Sequence, residues 1–252
     1  MQNEDFIIIA HRGESFDAPE NTLASINLAW ERNADAVEID VQLTKDEKIV
    51  VIHDKTVLRT GRKHMRIAAK NYNELLKVDI GKYKGEKWKD ERIPLLNDVI
   101  DSIPKNKLLF IEIKSDDKII APLKKLIDKK NVNPVQLKFI GFNLSTMKLL
   151  KQTLPRIESY WIVEKKYYKN KNKLEETIAE CMSSGLDGLD VGASKYLNKN
   201  VIRTIKKGNL KIYTWTVDDP KRAVQLYLDG INGITTNRAS WIKKKLQNSM
   251  NK

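Results

Sequence analysis

Eight apolar runs of strand length, each followed by a stretch of helical period, set the frame within which this chain can fold. The runs span residues 6–10, 36–44, 108–114, 136–142, 158–163, 186–191, 211–217 and 233–237. The helical stretches span 21–32, 95–103, 118–130, 144–153, 174–184, 200–207, 220–228 and 239–247. Several carry start signals: Asn143 and Asn198 can cap, and Pro220 suits a first helical turn. A strand joined to the next strand through a helix runs parallel to it, and eight such units close into an α/β (β/α)8 TIM barrel. An open doubly wound sheet would also alternate, but no glycine-rich phosphate fingerprint follows the first strand.

The rhythm breaks once. After the second strand comes a further apolar run, IVVIHD (49–54), and then a connection of residues 55–93 too long for an ordinary loop. We read residues 1–252 as a single TIM-barrel domain with a small insertion at about 55–93, on the C-terminal face where barrels build their sites.

Composition excludes several classes. The apolar fraction of 41% suits a globular domain, and no run approaches the roughly 20 residues of a membrane span. The N-terminus, MQNEDFIIIA, lacks a basic region and its apolar run is short, so no signal peptide and a cytoplasmic location are expected. The net charge of +13 favours anionic partners. The excess is mostly dispersed lysine, not a basic stripe, which speaks against a nucleic-acid module. The lone Cys181 allows no internal disulfide and sits in a helical pattern as a small core residue.

Strand alternation then places charge where charge is costly. In V-E-I-D-V, Glu38 and Asp40 share one face and Val37, Ile39 and Val41 the other. In F-I-E-I-K, Glu112 and Lys114 share a face opposite Ile111 and Ile113. With the apolar faces turned to the helices, three carboxylates converge on the barrel interior or mouth. Clustered buried carboxylates push at least one pKa upward. A divalent cation relieves them, and an oxygen-only set suits Mg²⁺ or Ca²⁺. Lys114 and Arg12 offer partial neutralisation without metal. His11 and His53 each follow a strand directly and fall on the same rim; His64, inside the insertion, is expected at the surface. A cation with two imidazoles suits phosphoester cleavage, one ring as base and one as acid.

HRG (11–13), PENT (19–22), the E-I-D and E-I-K strands, IVVIHD (49–54), IPLL (93–96) and YTWTVDD (213–219) together resemble the glycerophosphodiester phosphodiesterase family over nearly the whole chain. The resemblance implies a (β/α)8 barrel with an insertion after strand two. It implies a divalent cation at Glu38, Asp40 and Glu112, and His11 and His53 as the acid–base pair. Arg12 and Lys114 match residues near the phosphate. Trp215 matches an aromatic of the glycerol pocket, with core packing as its other reading. Asn21 matches the motif and equally well caps the first helix. The family's mechanism implies attack by the glycerol's neighbouring hydroxyl, then hydrolysis of a cyclic phosphate to sn-glycerol 3-phosphate and an alcohol; sequence does not fix which imidazole is the acid. Two departures stand out: the family usually has an aspartate near Asn237, and the stretch after Phe142 is atypical. Both are expected to affect substrate fit, not the proton-transfer set.

Two other functions fit the same scaffold. A phosphodiesterase for lysophospholipids or sphingolipids would use the basic EKKYYKNKNK segment (164–173) against anionic lipid, although no amphipathic anchor is visible. A non-catalytic phosphodiester-binding protein would bind without turnover.

Overall fold

The computed structural model describes residues 6–250; positions 1–5, on which the signal-peptide reading partly rests, lie outside the described residues. Nine strands form one sheet: β1 (Ile7–His11), β2 (Ala36–Leu43), β3 (Ile49–Val51), β4 (Leu108–Ile113), β5 (Leu137–Gly141), β6 (Glu158–Val163), β7 (Gly188–Gly192), β8 (Lys211–Trp215) and β9 (Gly233–Thr236). β1 pairs in parallel with both β2 and β9, so the sheet closes on itself. Eight parallel strands make the barrel, and β3 hangs antiparallel on the upper part of β2.

The helices that wrap it are α1 (Leu23–Glu31), α4 (Leu96–Asp101), α5 (Ile120–Lys130), α6 (Leu144–Thr153), α7 (Lys171–Ser183), α8 (Lys199–Lys207), α9 (Pro220–Leu228) and α10 (Ala239–Met250). Two short ones, α2 (Leu58–Gly61) and α3 (Tyr72–Leu75), lie in the insertion. The expected caps are present: Asn143 accepts from Thr146 N, Asn198 from Asn200 N and Val201 N, and Asp219 precedes Pro220. Helix α7 starts earlier than the apolar period suggested, because Asn170 caps a polar first turn by accepting from Lys173 N. Cys181 is fully buried, its thiol donating to Gly188 O, and His64 is exposed.

Alternation sorts the strand side chains into two cores. Ile8, Ala10, Val37, Ile39, Ile111 and Ile113 face the helices. Ile9, Ala36, Phe110, Ile140, Tyr160 and Tyr213 fill the barrel. Phe110 and Tyr160 each meet the Tyr213 ring edge-on, at 5.2 and 5.0 Å between centroids, and make an apolar floor. Beneath it, Glu158 accepts from Lys138, Lys211 and the Tyr160 hydroxyl at 2.6–2.7 Å. Above it stand Glu38, Asp40 and Glu112, and two strand registers align them: His11 lies opposite Glu38, and Asp40 opposite Glu112.

The insertion has its own small core of Val50, Ile52, Val57, Ile67, Leu75, Val78, Ile80 and Ile93. The IPLL motif ties it down: Pro94 O accepts from Val51 N, and Leu95 bridges Val50. It also reaches back over the loop after β1, where Tyr83 Oη accepts from Glu20 N and Lys84 Nζ donates to Ser15 O. Among the described residues, no helix is long and apolar enough to cross a membrane.

Burial alone would raise the Glu158 pKa, but the hydrogen bonds from Lys138, Lys211 and Tyr160 outweigh it and hold it down at about 2. Since the folded value is depressed, its stabilisation is present above the unfolded carboxylate range and fades as pH falls toward 2. Glu158→Gln is expected to cost about 2 kcal/mol at pH 7, discounted for partial exposure. In urea unfolding across pH, the gap from wild type should narrow on acidification; a gap independent of pH would contradict this.

Candidate active site

The HRG turn sets the geometry. Arg12 and Gly13 both have positive φ, 56° and 80°, which reverses the chain directly after β1. A Cβ on Gly13 would lie 2.5 Å from the Ser25 backbone at the start of α1, so only glycine fits. The reversal turns Arg12 inward. Its backbone N donates to Glu38 Oε2 at 3.0 Å, its Nε lies 3.0 Å from Asp40 Oδ2, and its Nη1 pairs with Glu20 Oε1 at 2.8 Å.

PENT divides its work residue by residue. Pro19 O accepts from the Thr22 hydroxyl, and Glu20 also pairs with Arg59 of the insertion. Thr22, not Asn21, caps α1, in a reciprocal capping box with Ser25. Asn21 takes a left-handed φ of 57° and turns to the centre. There its Nδ2 donates to Asp40 Oδ2 at 2.8 Å, and its Oδ1 accepts from Asp40 N at 3.2 Å. The capping reading of Asn21 is thereby corrected: its amide fixes an acid.

Glu38, Asp40 and Glu112 are buried, and each presents a carboxylate oxygen within 4.8 Å of the others. Lys114 Nζ lies 2.5 Å from Glu112 Oε1 and 3.2 Å from Asp40 Oδ1. Glu38 Oε1 has neither a hydrogen-bond nor an ion-pair partner, while Asp40 Oδ1 and Glu112 Oε1 are met only by the Lys114 ammonium. Burial, then the charges of Asp40 and Glu112, push Glu38 well above the usual carboxylate range. Burial and Asp40 raise Glu112 to about 7. Asp40 is held low: burial opposes ionisation, but Arg12 and Lys114 overcome it. Arg12 and Lys114 thus bring two positive charges to three acids, both against Asp40 and Lys114 also against Glu112, and neither side chain pairs with Glu38. Oxygen donors converging in this way suit a hard divalent cation.

Both rings are anchored through Nδ1. His11 Nδ1 lies 2.7 Å from Asn237 Oδ1, and its Nε2 faces Glu38 Oε2 at 4.0 Å. Asn237 Nδ2 donates to Asp218 Oδ2, so Oδ1 is the atom offered to His11, and the ring carries its proton on Nδ1. Asp218 also accepts from Asn237 N and the Thr236 hydroxyl, which gives the first aspartate of YTWTVDD its purpose. Burial and then Arg12 lower the His11 pKa. The expectation that the Asn237 departure leaves the proton-transfer set untouched is therefore overturned: Asn237 holds His11. His53 Nδ1 lies 2.7 Å from Asp54 Oδ1, Arg59 locks Asp54 at 2.7 Å, and Gln42 Nε2 donates to the carbonyls of Ile52, His53 and Asp54.

Trp215 is half-buried at the rim, packed on the barrel-filling cluster and edge-on to Phe142 at 5.7 Å. The core contact of its other reading is present. Sequence reasoning passed over Asp190 on β7. It is buried with Oδ1 unpartnered, and burial with Glu112 nearby raises its pKa well above the usual range. Its signal was the same alternation that exposed Glu38 and Asp40: Asp190 stands between Leu189 and Val191, which face the helices.

Residues 11–240 match the Glycerophosphoryl diester phosphodiesterase family. YhdW of Bacillus subtilis (strain 168) is 34% identical over 243 residues, covering 94% of this chain and 96% of that protein. A glycerophosphodiester phosphodiesterase of Caldanaerobacter subterraneus subsp. tengcongensis is 31% identical over 242 residues, covering 92% and 93%. Among solved structures, an Oleispira antarctica phosphodiesterase in complex with its product sn-glycerol-3-phosphate superposes with a TM-score of 0.85. It shares 28% identity, over 96% of each chain.

The Asn237 contact is testable without turnover. In ¹⁵N-histidine spectra at neutral pH, His11 should appear as the neutral Nδ1–H tautomer, and Asn237→Ala should mix the two tautomers. A wild-type Nε2–H ring would contradict the assignment.

Proposed function

The chain belongs to the glycerophosphoryl diester phosphodiesterase family, and from that premise we propose how it hydrolyses glycerophosphodiesters to sn-glycerol 3-phosphate and an alcohol. Glu38, Asp40 and Glu112 would hold a divalent cation, Mg²⁺ or Ca²⁺. The fit rests on carboxylate oxygens of these three buried acids lying within 4.8 Å of one another, with Glu38 Oε1 unpartnered and a single lysine shared between the other two acids. A bound cation supplies positive charge that offsets the phosphate's and polarises its oxygens.

The chain's own groups do the rest. Arg12 and Lys114 border the acids and orient the phosphate. Asn237 keeps the His11 proton on Nδ1, so Nε2 has a free lone pair, and the lowered pKa keeps that ring neutral. His11 Nε2 is thus the base that takes the proton from the glycerol hydroxyl next to the phosphate, and that oxygen attacks phosphorus. Asp54, an anion, orients His53, which serves as the acid: its Nε2 gives a proton to the departing alcohol oxygen as the P–O bond breaks. Water then opens the cyclic phosphate with the two rings in exchanged roles. Trp215 walls the glycerol side.

The observation that carries this reading is the strand register that sets His11 opposite Glu38 and Asp40 opposite Glu112. A second reading, cleavage of lysophospholipids, draws on Phe16, Phe142 and Tyr196. These exposed aromatics all lie in loops that follow strands on the barrel's C-terminal face. Comparing glycerophosphocholine with lysophosphatidylcholine separates the two.

In an assay coupled to sn-glycerol 3-phosphate, His11→Ala and His53→Ala are each expected to lose at least about a hundredfold in kcat. A loss below tenfold in either would remove that ring from the proton transfers. Glu112→Ala should be as inactive as wild type in EDTA, and added Mg²⁺ or Ca²⁺ should restore only the wild type. Full wild-type activity in EDTA would count against the cation.

A further inference from the structure

A groove of about 1110 Å³ opens beside the centre, between the β2–β3 turn, the insertion and α5. Its wall includes Lys48, Lys55, Arg66, Lys118, Lys125 and Lys129, all exposed. None of these six side chains enters a hydrogen bond or ion pair among the described residues. The acids on the same wall offset them only in part: with Lys45 and Lys114 the wall carries eight cationic side chains against three carboxylates, Asp46, Glu47 and Asp116. The dispersed lysine of the sequence is thus concentrated here into a channel of net positive charge. Such a channel draws in anions.

The groove meets the centre on one side. Lys114, whose ammonium touches Glu112 and Asp40, is part of its wall. So is Gln42, which holds the backbone of the segment bearing His53, and Lys55 lies two residues beyond that ring. His53 is the group that protonates the leaving alcohol in the reading above, on which this inference rests. We propose that the groove receives the leaving alcohol, and that the favoured alcohol is itself negatively charged, as when it carries a further phosphate.

Three diesters sharing the glycerol 3-phosphate half give a ladder of leaving-group charge. They are glycerophosphocholine (cationic alcohol), glycerophosphoglycerol (neutral) and bis(glycerophospho)glycerol (anionic). At low ionic strength, kcat/KM should rise about tenfold from the cationic to the anionic alcohol, mainly through KM, and the gap should close with added salt. In the triple variant Lys118→Glu/Lys125→Glu/Lys129→Glu, with folding checked by circular dichroism, the ladder should flatten or invert. A flat ladder in the wild type, or one that survives both salt and charge reversal, overturns the proposal. So does a variant that loses only its binding to phosphatidylglycerol vesicles, since the groove would then serve a membrane surface. Should the variant fail to fold, the salt response of the wild type decides alone. If none of the three diesters is hydrolysed, the family-based reading fails first, and this inference with it.

Discussion

Carboxylates brought together inside a barrel repel each other and resist burial, and something of opposite charge must answer them. The structure answers only in part. Arg12 and Lys114 bring two positive charges to Glu38, Asp40 and Glu112, and both cations lean on Asp40. The aromatic floor of Phe110, Tyr160 and Tyr213 keeps the cluster from relaxing downward into water. A centre built this way has an unmet demand for positive charge at its mouth. A cation and then a phosphate would meet that demand together, which is why basic residues, acids and imidazoles can share so small a space.

Much of the surrounding loop structure serves to hold that imbalance still. From Arg12, ion pairs run through Glu20 to Arg59 and on to Asp54, which holds the His53 ring by a hydrogen bond. This chain joins the loop after β1 to the insertion after β3, so the two histidines sit on one connected frame although 42 residues separate them. Tyr83 and Lys84 fasten the insertion to the same loop from its far end. The insertion is therefore part of the scaffold around the candidate centre and carries one wall of the basic groove besides.

The barrel was legible because its signal is periodic and local. Alternation in V-E-I-D-V and F-I-E-I-K needs no partner strand to reveal which side chains turn inward, and strand and helix positions followed within a few residues. What escaped depends on distant contacts. Asn237 is 226 residues from His11, and nothing local distinguishes an amide that orients a ring from one that ends a strand. Asn21 looked like a cap because its neighbour Thr22 is one; only its left-handed backbone turns it to Asp40. Asp190 carried the alternation signal but stands without a second acid on its strand. The groove was invisible for a different reason: lysines spread along a sequence look like a solvated coat until folding gathers them.

The most direct measurement is anomalous diffraction from crystals of the protein soaked in Mn²⁺, a stand-in for Mg²⁺ that can be located by its own scattering. A single strong peak bounded by Glu38, Asp40 and Glu112, with Arg12 and Lys114 beside it, is the predicted result. A peak at some other cluster, or a centre whose carboxylates are satisfied by the two basic side chains while Mn²⁺ stays in solvent, would contradict it.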